Sequence, residues 1–332
     1  MARRGRPPRA AVYQRMEEAV QELRDRLGGL PAPAEAEDIW ANIWHQEAHN
    51  STAIEGNTLV LQEVEKLLEE GRAVGAKPLR DYLEVRGYAD AANWVYGQAL
   101  EPGDWQTDQL ISLQEVRHIH YLSMSPVWSV APHPHATPAE QPGNYREHEI
   151  AHFPGGMKPQ SWTEVPSFMS DWIATVDKLR TASDEPLPES LARVHNKFEC
   201  IHPFLDGNGR AGRLVLNLIL GRLGYPPAII YKRDRGKYLN AMRRADAGDM
   251  GPLGELLARS ITANLYKFVV PAVAGPAKLV PLPALASREL GENALRVAAF
   301  RGRLRAIKGD DGGWRSSKKW VEDYKNSRYT RG

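Results

Sequence analysis

A twelve-residue stretch, HPFLDGNGRAGR (residues 202–213), combines side chains that could act together on a phosphate ester. Its glycines, Gly207 and Gly209, flank Asn208 directly before LVLNLILGRLG, an apolar run with helical spacing. The first N–H groups of a helix have no intrahelical acceptor and lie at the positive end of the helix dipole, so they bind anions. Glycine lets the backbone approach a phosphate closely. The sequence therefore predicts an anion site at this helix N-terminus.

The charged residues of the same stretch indicate which anion. Arg210 and Arg213 lie three residues apart, on one side of a helix, where two guanidinium groups suit a polyphosphate. Asp206 would be repelled by phosphate unless Mg²⁺ stood between them. His202 is the natural general base for a hydroxyl nucleophile, and Phe204 is expected to hold the loop in the core. Ordinary helix capping explains any two of these residues, but not all of them in this order.

The stretch closely resembles the signature of the Fic family, His-x-Phe-x-(Asp/Glu)-Gly-Asn-Gly-(Arg/Lys)-x-x-Arg, with every defining position filled. The likeness extends over about residues 36–270. Fic enzymes mostly transfer AMP from ATP to a Ser, Thr or Tyr hydroxyl of a target protein and release pyrophosphate. The kinase-like branch of the family replaces the Gly-Asn-Gly run, which this chain retains. The resemblance thus favours AMP transfer.

The resemblance also implies a role for each residue of the motif. His202 would deprotonate the target hydroxyl, and Asp206 would hold Mg²⁺ across the α- and β-phosphates of ATP. The residues expected to bind the phosphates are Gly207, Asn208, Gly209, Arg210 and Arg213. These assignments agree with the chemistry expected from the residue types alone.

Residues 125–160 are rich in Pro, Gly and His, show no helical period, and contain one short hairpin candidate, EIAHFPGGMK. This hairpin resembles the flap of the family, on which a target chain pairs as an added strand. The flap residues expected to contact nucleotide and target are His152, Phe153, Pro154 and Gly155. Tyr238 falls where the family places an adenine-side contact, and Asp246 stands where relatives often have an asparagine.

The stretch STAIEGN (residues 51–57) resembles the inhibitory motif of the family, (Ser/Thr)-x-x-x-Glu-(Gly/Asn). Ser51 and Glu55 fill its defining positions, ahead of the catalytic core, as in the subgroup with an N-terminal inhibitory helix. The resemblance implies that Glu55 pairs with Arg213 in place of the γ-phosphate, which would hold ATP unproductively. Taken alone, Glu55 is equally a helix C-terminal residue before a glycine cap.

Helical periodicity over most of the chain predicts a mainly α fold. The resemblance implies that this fold is a Fic-type helical bundle with a short β-hairpin flap, followed by a small winged helix-turn-helix-like domain. We expect five regions. They are a basic arm and helix (1–35), a helical region with the inhibitory motif (36–125), the catalytic core (126–270), a Pro-rich linker (271–283) and a winged helix-turn-helix-like domain (284–332).

The last region resembles excisionase-like and MerR-like DNA-binding units, with a short helix over 287–290, a second helix over 293–301, and a Gly-rich hairpin. In such a unit Asn293, Arg296 and Arg301 would meet the major groove, with Lys308 or Arg315 on DNA phosphates. A protein-docking or dimerisation module of the same fold is the alternative. The Arg-Gly-Arg-Pro sequence at residues 4–7 resembles an AT-hook core, with a non-binding basic tail as the alternative.

Bulk properties narrow the class of protein. The 332 residues carry a net charge of +2, one cysteine, and no apolar run long enough to cross a bilayer, so we expect a cytoplasmic protein without a membrane partner. Three functions remain open. They are AMP transfer to a protein, itself included; a DNA-binding regulator whose Fic core senses nucleotide or modifies only itself; and removal of AMP or transfer of another nucleotide. The sequence leaves the oligomeric state open, with a homodimer as one alternative because relatives often form one.

Overall fold

The computed structural model describes residues 7–31, 37–151, 157–181, 184–275, 278–309 and 312–329. This part of the chain is mainly helical, as predicted. Its α-helices are α1 (Arg9–Leu27), α2 (Glu37–Ile54), α3 (Leu61–Glu70), α4 (Leu79–Leu100), α5 (Leu113–Trp128), α6 (Val165–Asp177), α7 (Leu187–Ile201), α8 (Asn208–Arg222), α9 (Arg235–Asp246), α10 (Gly251–Asn264), α11 (Val270–Val273), α12 (Glu292–Phe300) and α13 (Lys318–Tyr329). No helix within the described ranges is both long enough and apolar enough to cross a membrane.

Helix α8 is the centre of the larger core. Every residue from Arg210 to Leu220 is buried, so this helix is surrounded on all sides by α2, α4, α5 and α7. Such a helix needs apolar residues all round rather than a single stripe, which the run LVLNLILG supplies. The motif at its N-terminus is thereby fixed in the middle of the molecule, at the mouth of a rigid helix.

The start of α5 differs from the prediction. The residue that caps α5 is Ser112, not Thr107 or Asp108. Ser112 Oγ accepts a hydrogen bond from the Glu115 backbone N–H, and the Glu115 carboxylate accepts one from the Ser112 N–H in return. This reciprocal pair satisfies two N-terminal donors at once, whereas Thr107 and Asp108 lie several residues too early to reach them.

The segment predicted as a linker (271–283) is part of the C-terminal unit. Residues Val280–Pro281 form strand β1, which pairs antiparallel with β3 (Trp314–Ser316), and β3 pairs with β2 (Ile307–Lys308). Its apolar residues also pack in a second core, shared with Ala19 and Leu23 of α1. Of the prolines that suggested a linker, Pro271 lies in the first turn of α11 and Pro281 lies in the edge strand β1.

The winged unit also has fewer helices than predicted. Residues Leu282–Leu285 form one 3₁₀ turn, and residues 287–290 form a turn closed by hydrogen bonds between Ser287 and Leu290. Only Leu290 of those four residues is buried, so a helix there would have no apolar stripe to pack. The second predicted helix is present as α12, and the hairpin and closing helix follow it as expected.

Candidate active site at the N-terminus of α8

The turn that starts α8 depends on glycine. Gly207 is the N-cap, with a left-handed φ of 79°. A Cβ there would lie 2.5 Å from the sulfur of Met124, so both conformation and space exclude other residues. The Gly207 N–H donates to Asp206 Oδ1 at 2.6 Å, which removes it from the predicted phosphate donors in this state.

Asn208 braces the loop through its side chain. Asn208 Oδ1 accepts from the Phe204 N–H at 2.9 Å, and its Nδ2 donates to the Phe204 carbonyl at 2.7 Å. The side chain is buried, and Phe204 is fully buried beneath the loop, as predicted. A phosphate would therefore meet the backbone N–H groups of Asn208 and Gly209, which have no intrahelical acceptor in a first turn.

Arg210 is buried and has N–H donors available for a ligand. Its side chain is buried, yet Nε and Nη1 have no hydrogen-bond acceptor among the described residues. The carboxylates of Glu84 and Asp206 each lie 3.7 Å from its guanidinium nitrogens, too far for a hydrogen bond. Unsatisfied buried N–H groups cost free energy, so a guanidinium left in this state points to an anionic ligand.

Arg213 is held by the predicted inhibitory residues. Arg213 Nη2 lies 2.7 Å from Glu55 Oε1 and donates to the Ser51 carbonyl at 3.1 Å, while its Nε donates to Ser51 Oγ at 2.7 Å. Burial alone would lower the pKa of Arg213, but the Glu55 carboxylate and the Tyr238 phenol outweigh it and raise the pKa. The expected ion pair is thus formed in the structure.

The Glu55 carboxylate lies over Gly209. A Cβ at Gly209 would come within 2.6 Å of Glu55 Oε1 and 3.2 Å of Arg213 Nη1. The carboxylate therefore stands at the positive end of α8, beside the glycine backbone that was predicted to meet phosphate. An anion of the chain itself thus lies where the sequence predicts a phosphate, and the binding of phosphate there stays a prediction.

Residue spacing on the two helices explains this alignment. Glu47 and Ser51 on α2, and Glu55 directly after its last residue, are spaced four residues apart and face Asn217, Arg213 and Gly209, which are four apart on α8. Glu47 is buried and accepts hydrogen bonds from Asn217 Nδ2 at 2.6 Å and from the Tyr88 hydroxyl at 2.8 Å. The sequence prediction missed Glu47. Its four-residue spacing from Ser51 was the available signal, since such residues share a helix face.

His202 is the C-cap of α7, and its backbone is left-handed, with φ 53° and ψ 61°. Its Nδ1 lies 3.3 Å from the Glu199 carbonyl, which assigns the ring proton to Nδ1 and the lone pair to Nε2. Burial lowers the pKa of His202 to about 4, despite the bond to the Glu199 carbonyl. The imidazole is therefore neutral near pH 7 and can accept a proton.

A second histidine, His120 on α5, supports the loop that holds the motif. Its ring stacks on Phe204 at 3.7 Å between ring centres, with the planes 6° apart. Its Nδ1 accepts from the Gly143 N–H at 2.8 Å, so its Nε2 carries the proton and donates to the Asp206 carbonyl at 2.9 Å. Burial lowers the pKa of His120 to about 4, which keeps this arrangement neutral. The sequence prediction also missed this residue, because loop and helix meet only in the fold.

Two further predictions concern the nucleotide base and the target. Tyr238 is buried, and its hydroxyl lies 2.8 Å from His195 Nε2, beside Arg213. Its predicted contact with adenine stays a prediction. Asp246 accepts a hydrogen bond from Asn196 Nδ2 at 2.7 Å. The flap residues His152 to Gly155 lie outside the described residues, so the predicted contacts there also stay predictions.

The candidate DNA contacts differ in their surroundings. Those with exposed side chains are Asn293, Arg296, Arg301 and Lys308. Arg315 is instead paired with Glu22 of α1, with Nη2 and Oε2 3.0 Å apart. Since β3 packs against α1, this arginine is turned inward, and the prediction that it contacts DNA phosphates does not fit the structure. The predicted basic arm at residues 1–6 lies outside the described residues.

Comparison with known proteins agrees with the geometry. Residues 110–220 match the Fic/DOC family. The chain is 30% identical over 260 residues to "Protein adenylyltransferase Fic" of Nematostella vectensis, covering 77% of this chain and 56% of the relative. It is 28% identical to "Protein adenylyltransferase fic-1" of Caenorhabditis elegans, covering 78% of this chain and 48% of the relative. The chain thus spans about half the length of these curated relatives.

Solved structures show the same fold. A Fic-1 structure from C. elegans superposes with a TM-score of 0.62 and 26% identity, covering 78% of this chain and 72% of that chain. A Fic family protein from Desulfovibrio desulfuricans superposes with a TM-score of 0.57 and 21% identity, covering 94% of this chain and 97% of that chain. The second likeness concerns the fold alone, and it extends over nearly the whole length of both chains.

Proposed function

Because this chain carries a Fic/DOC domain at residues 110–220, we propose that it transfers AMP from ATP to a Ser, Thr or Tyr hydroxyl of a protein, itself included. We further propose that Glu55 holds the enzyme inhibited. One observation carries both parts. A carboxylate of the chain occupies the anion site of α8, over Gly209 and against Arg213, where a triphosphate would otherwise bind.

Each residue around this site would have a separate role in the reaction. Arg210 and the first-turn N–H groups of α8 would bind the phosphates, and Arg213 would join them once Glu55 leaves. His202 Nε2 would accept the proton of the target hydroxyl. The hydroxyl oxygen then bonds to the α-phosphorus, the bond from the α-phosphorus to the bridging oxygen breaks, and pyrophosphate leaves with its electron pair.

Asp206 suits a divalent cation. Its side chain is 41% exposed at the edge of the site. Its Oδ1 accepts a hydrogen bond from the Gly207 N–H. A hard carboxylate oxygen beside a phosphate site is the donor that Mg²⁺ prefers. When bound there, Mg²⁺ would neutralise charge on the phosphate groups. The fit between donor and ion supports the expectation that the substrate is the magnesium complex of ATP.

The inhibitory part follows from competition between anions. The Glu55 carboxylate and a terminal phosphate would need the same guanidinium, and two anions at one site repel each other. Arg213 is buried but the Glu55 carboxylate is 42% exposed, so solvent screens the pair in part and a triphosphate can compete for the guanidinium. Replacing Glu55 with glycine removes the competing charge and leaves Ser51 as a neutral partner of Arg213.

The test uses purified wild type, Glu55→Gly and Glu55→Gly/His202→Ala, each incubated with Mg²⁺ and ATP labelled at the α- or the γ-phosphate. We expect protein-bound α-label in Glu55→Gly alone, and no γ-label in any variant. Glu101→Gly is the matched control, because Glu101 follows the last residue of α4 as Glu55 follows the last residue of α2. Equal labelling of wild type and Glu55→Gly would refute inhibition by Glu55, and γ-label would indicate a kinase.

The exposed basic side chains of the C-terminal unit favour a second candidate function, the binding of DNA. We propose that Arg296 and Arg301, both exposed, contact a duplex. The measurement is fluorescence anisotropy with a labelled 20-base-pair duplex at two salt concentrations. Arg296→Glu/Arg301→Glu should weaken binding at least tenfold, whereas the exposed control Arg86→Glu, on α4, should not. Equal binding by both variants would exclude this surface.

A further inference from the structure

The backbone at His202 needs support. Among the described residues, His202 is the only one other than glycine with a positive φ. Left-handed backbone is unfavourable for a residue with a Cβ and persists where surrounding contacts enforce it. The peptide after His202 therefore needs fixed hydrogen bonds if the imidazole is to stay in one position.

Arg146 supplies these hydrogen bonds. Its Nε donates to the His202 carbonyl at 2.8 Å, and its own backbone N–H donates to the Pro203 carbonyl at 3.0 Å. Its Nη2 also approaches the Ile201 carbonyl at 3.4 Å. One residue therefore contacts three consecutive carbonyls of the loop that carries the proposed base.

The Arg146 guanidinium also donates hydrogen bonds to backbone outside the loop at 201–203. Arg146 Nη1 donates to the His148 carbonyl at 2.6 Å, and Nη2 donates to the Gln160 carbonyl. The Gln160 N–H in turn donates to the Cys200 carbonyl at 3.3 Å. Through Arg146, the loop at 201–203 is thereby connected by hydrogen bonds to the backbone of His148 and Gln160.

The environment of Arg146 is unusual for a buried charge. The residue is 1% exposed, and its described hydrogen bonds go to backbone carbonyls rather than to a carboxylate. Burial lowers its pKa, although Glu149 and Glu140 oppose this from a distance. A buried cation without a carboxylate partner adds little stability. The property of Arg146 that matters at this site is therefore its planar guanidinium, which carries five N–H donors in a fixed geometry.

We propose that Arg146 is the positioning residue of His202: it fixes the left-handed peptide at 202–203 so that the imidazole meets the target hydroxyl. This inference rests on the proposed function, in which His202 is the base. The anion site is built on α8 and does not include Arg146. Loss of the Arg146 guanidinium should therefore lower kcat and leave the affinity for ATP nearly unchanged.

The test compares Arg146→Lys and Arg222→Lys, each in the Glu55→Gly background. Lysine keeps the charge of Arg146, but its single nitrogen cannot reach the three separate carbonyls that Nε, Nη1 and Nη2 bind. Arg222 is the control, a partly buried arginine on α8 that also donates to backbone carbonyls, those of Leu110 and Gln98, and in addition pairs with Glu115. We expect Arg146→Lys to lower kcat roughly 10- to 100-fold, with the Kd for ATP changed less than about threefold. The control should keep its kcat even if its Tm falls.

A second readout does not depend on activity. The ¹⁵N shifts of the His202 imidazole report which nitrogen carries the proton, and the ring should be mainly protonated at Nδ1 in the Glu55→Gly parent. Arg146→Lys should populate the other tautomer as the contact with the Glu199 carbonyl loosens. An unchanged kcat with unchanged shifts would overturn the proposal, as would equal losses of kcat in both arginine variants. A parent that transfers no AMP would contradict the proposed function, while the shifts would still test Arg146.

Discussion

Gly209 provides the space that the Glu55 carboxylate occupies: a Cβ at Gly209 would come within 2.6 Å of Glu55 Oε1. The glycine that lets a phosphate approach the helix thus also lets a glutamate of the same chain approach it. In the proposed function, substrate and inhibitory glutamate share this surface, so the docked Glu55 carboxylate and a bound triphosphate exclude each other physically. The predictions below follow from this shared surface.

Ser51 should contribute to inhibition less than Glu55 does. Ser51→Ala removes the acceptor of Arg213 Nε but keeps the Ser51 carbonyl and the Glu55 carboxylate. Loss of one such hydrogen bond costs about 1–2 kcal/mol, so AMP transfer should rise about five- to thirtyfold, to a level below that of Glu55→Gly. Labelling with α-labelled ATP measures this. The control is Ser125→Ala, whose exposed hydroxyl bonds the carbonyl of Tyr121 on its own helix, and a rate equal to wild type would contradict the prediction.

Glu47 should anchor the inhibitory helix. Glu47→Ala leaves the Tyr88 hydroxyl and the Asn217 amide buried without their acceptor, which should lower the free energy of unfolding by about 2–4 kcal/mol. Thermal denaturation measures this, and Glu47→Gln, which keeps the volume, should lose less. Because Glu47 holds α2 against α8, both variants should also raise AMP transfer. An unchanged Tm in Glu47→Ala would show that the buried network is not needed for stability.

The pH dependence of AMP transfer should reflect the lowered pKa of His202. Burial lowers this pKa to about 4, so the neutral form that accepts a proton is present above that pH. The rate of Glu55→Gly should stay near its plateau from about pH 8 to about pH 5 and fall only below that, whereas an ordinary histidine would lose half its activity near pH 6.5. Initial rates across this range test the expectation, with circular dichroism at each pH to detect unfolding. A midpoint near 6.5 would contradict it.

Glu199 should make the protein less stable as the pH rises. Its Oε1 is buried without a hydrogen-bond partner among the described residues, and burial raises its pKa to about 7, against the effect of Arg213. The unfolded chain releases this proton near pH 4.5, so stability decreases between about pH 4.5 and 7 and then levels off. Glu199→Gln should gain about 2–3 kcal/mol over wild type at pH 8 and little at pH 4. Denaturation at the two pH values measures the difference, and an equal gain at both would refute the assignment.

The sequence by itself determined the helical fold, and it predicts the chemistry of the motif. Helical periods are local, so the order of the helices and the apolar run of α8 can be derived from residue spacing. The same holds for Gly207, since only glycine tolerates its left-handed turn at no cost. The pairing of Glu55 with Arg213 came from a resemblance rather than from spacing, because 158 residues separate them.

Only the tertiary structure decided which residues support the site. His120 and Arg146 lie on elements far in sequence from the loop they hold, and nothing in their local pattern marks them. The linker likewise became a strand, since strand pairing depends on the partner rather than on the segment itself. Arg315 turned inward for the same reason: Glu22 reaches it only after α1 has packed against the C-terminal unit. Contacts between distant segments are set by packing, which no local pattern encodes.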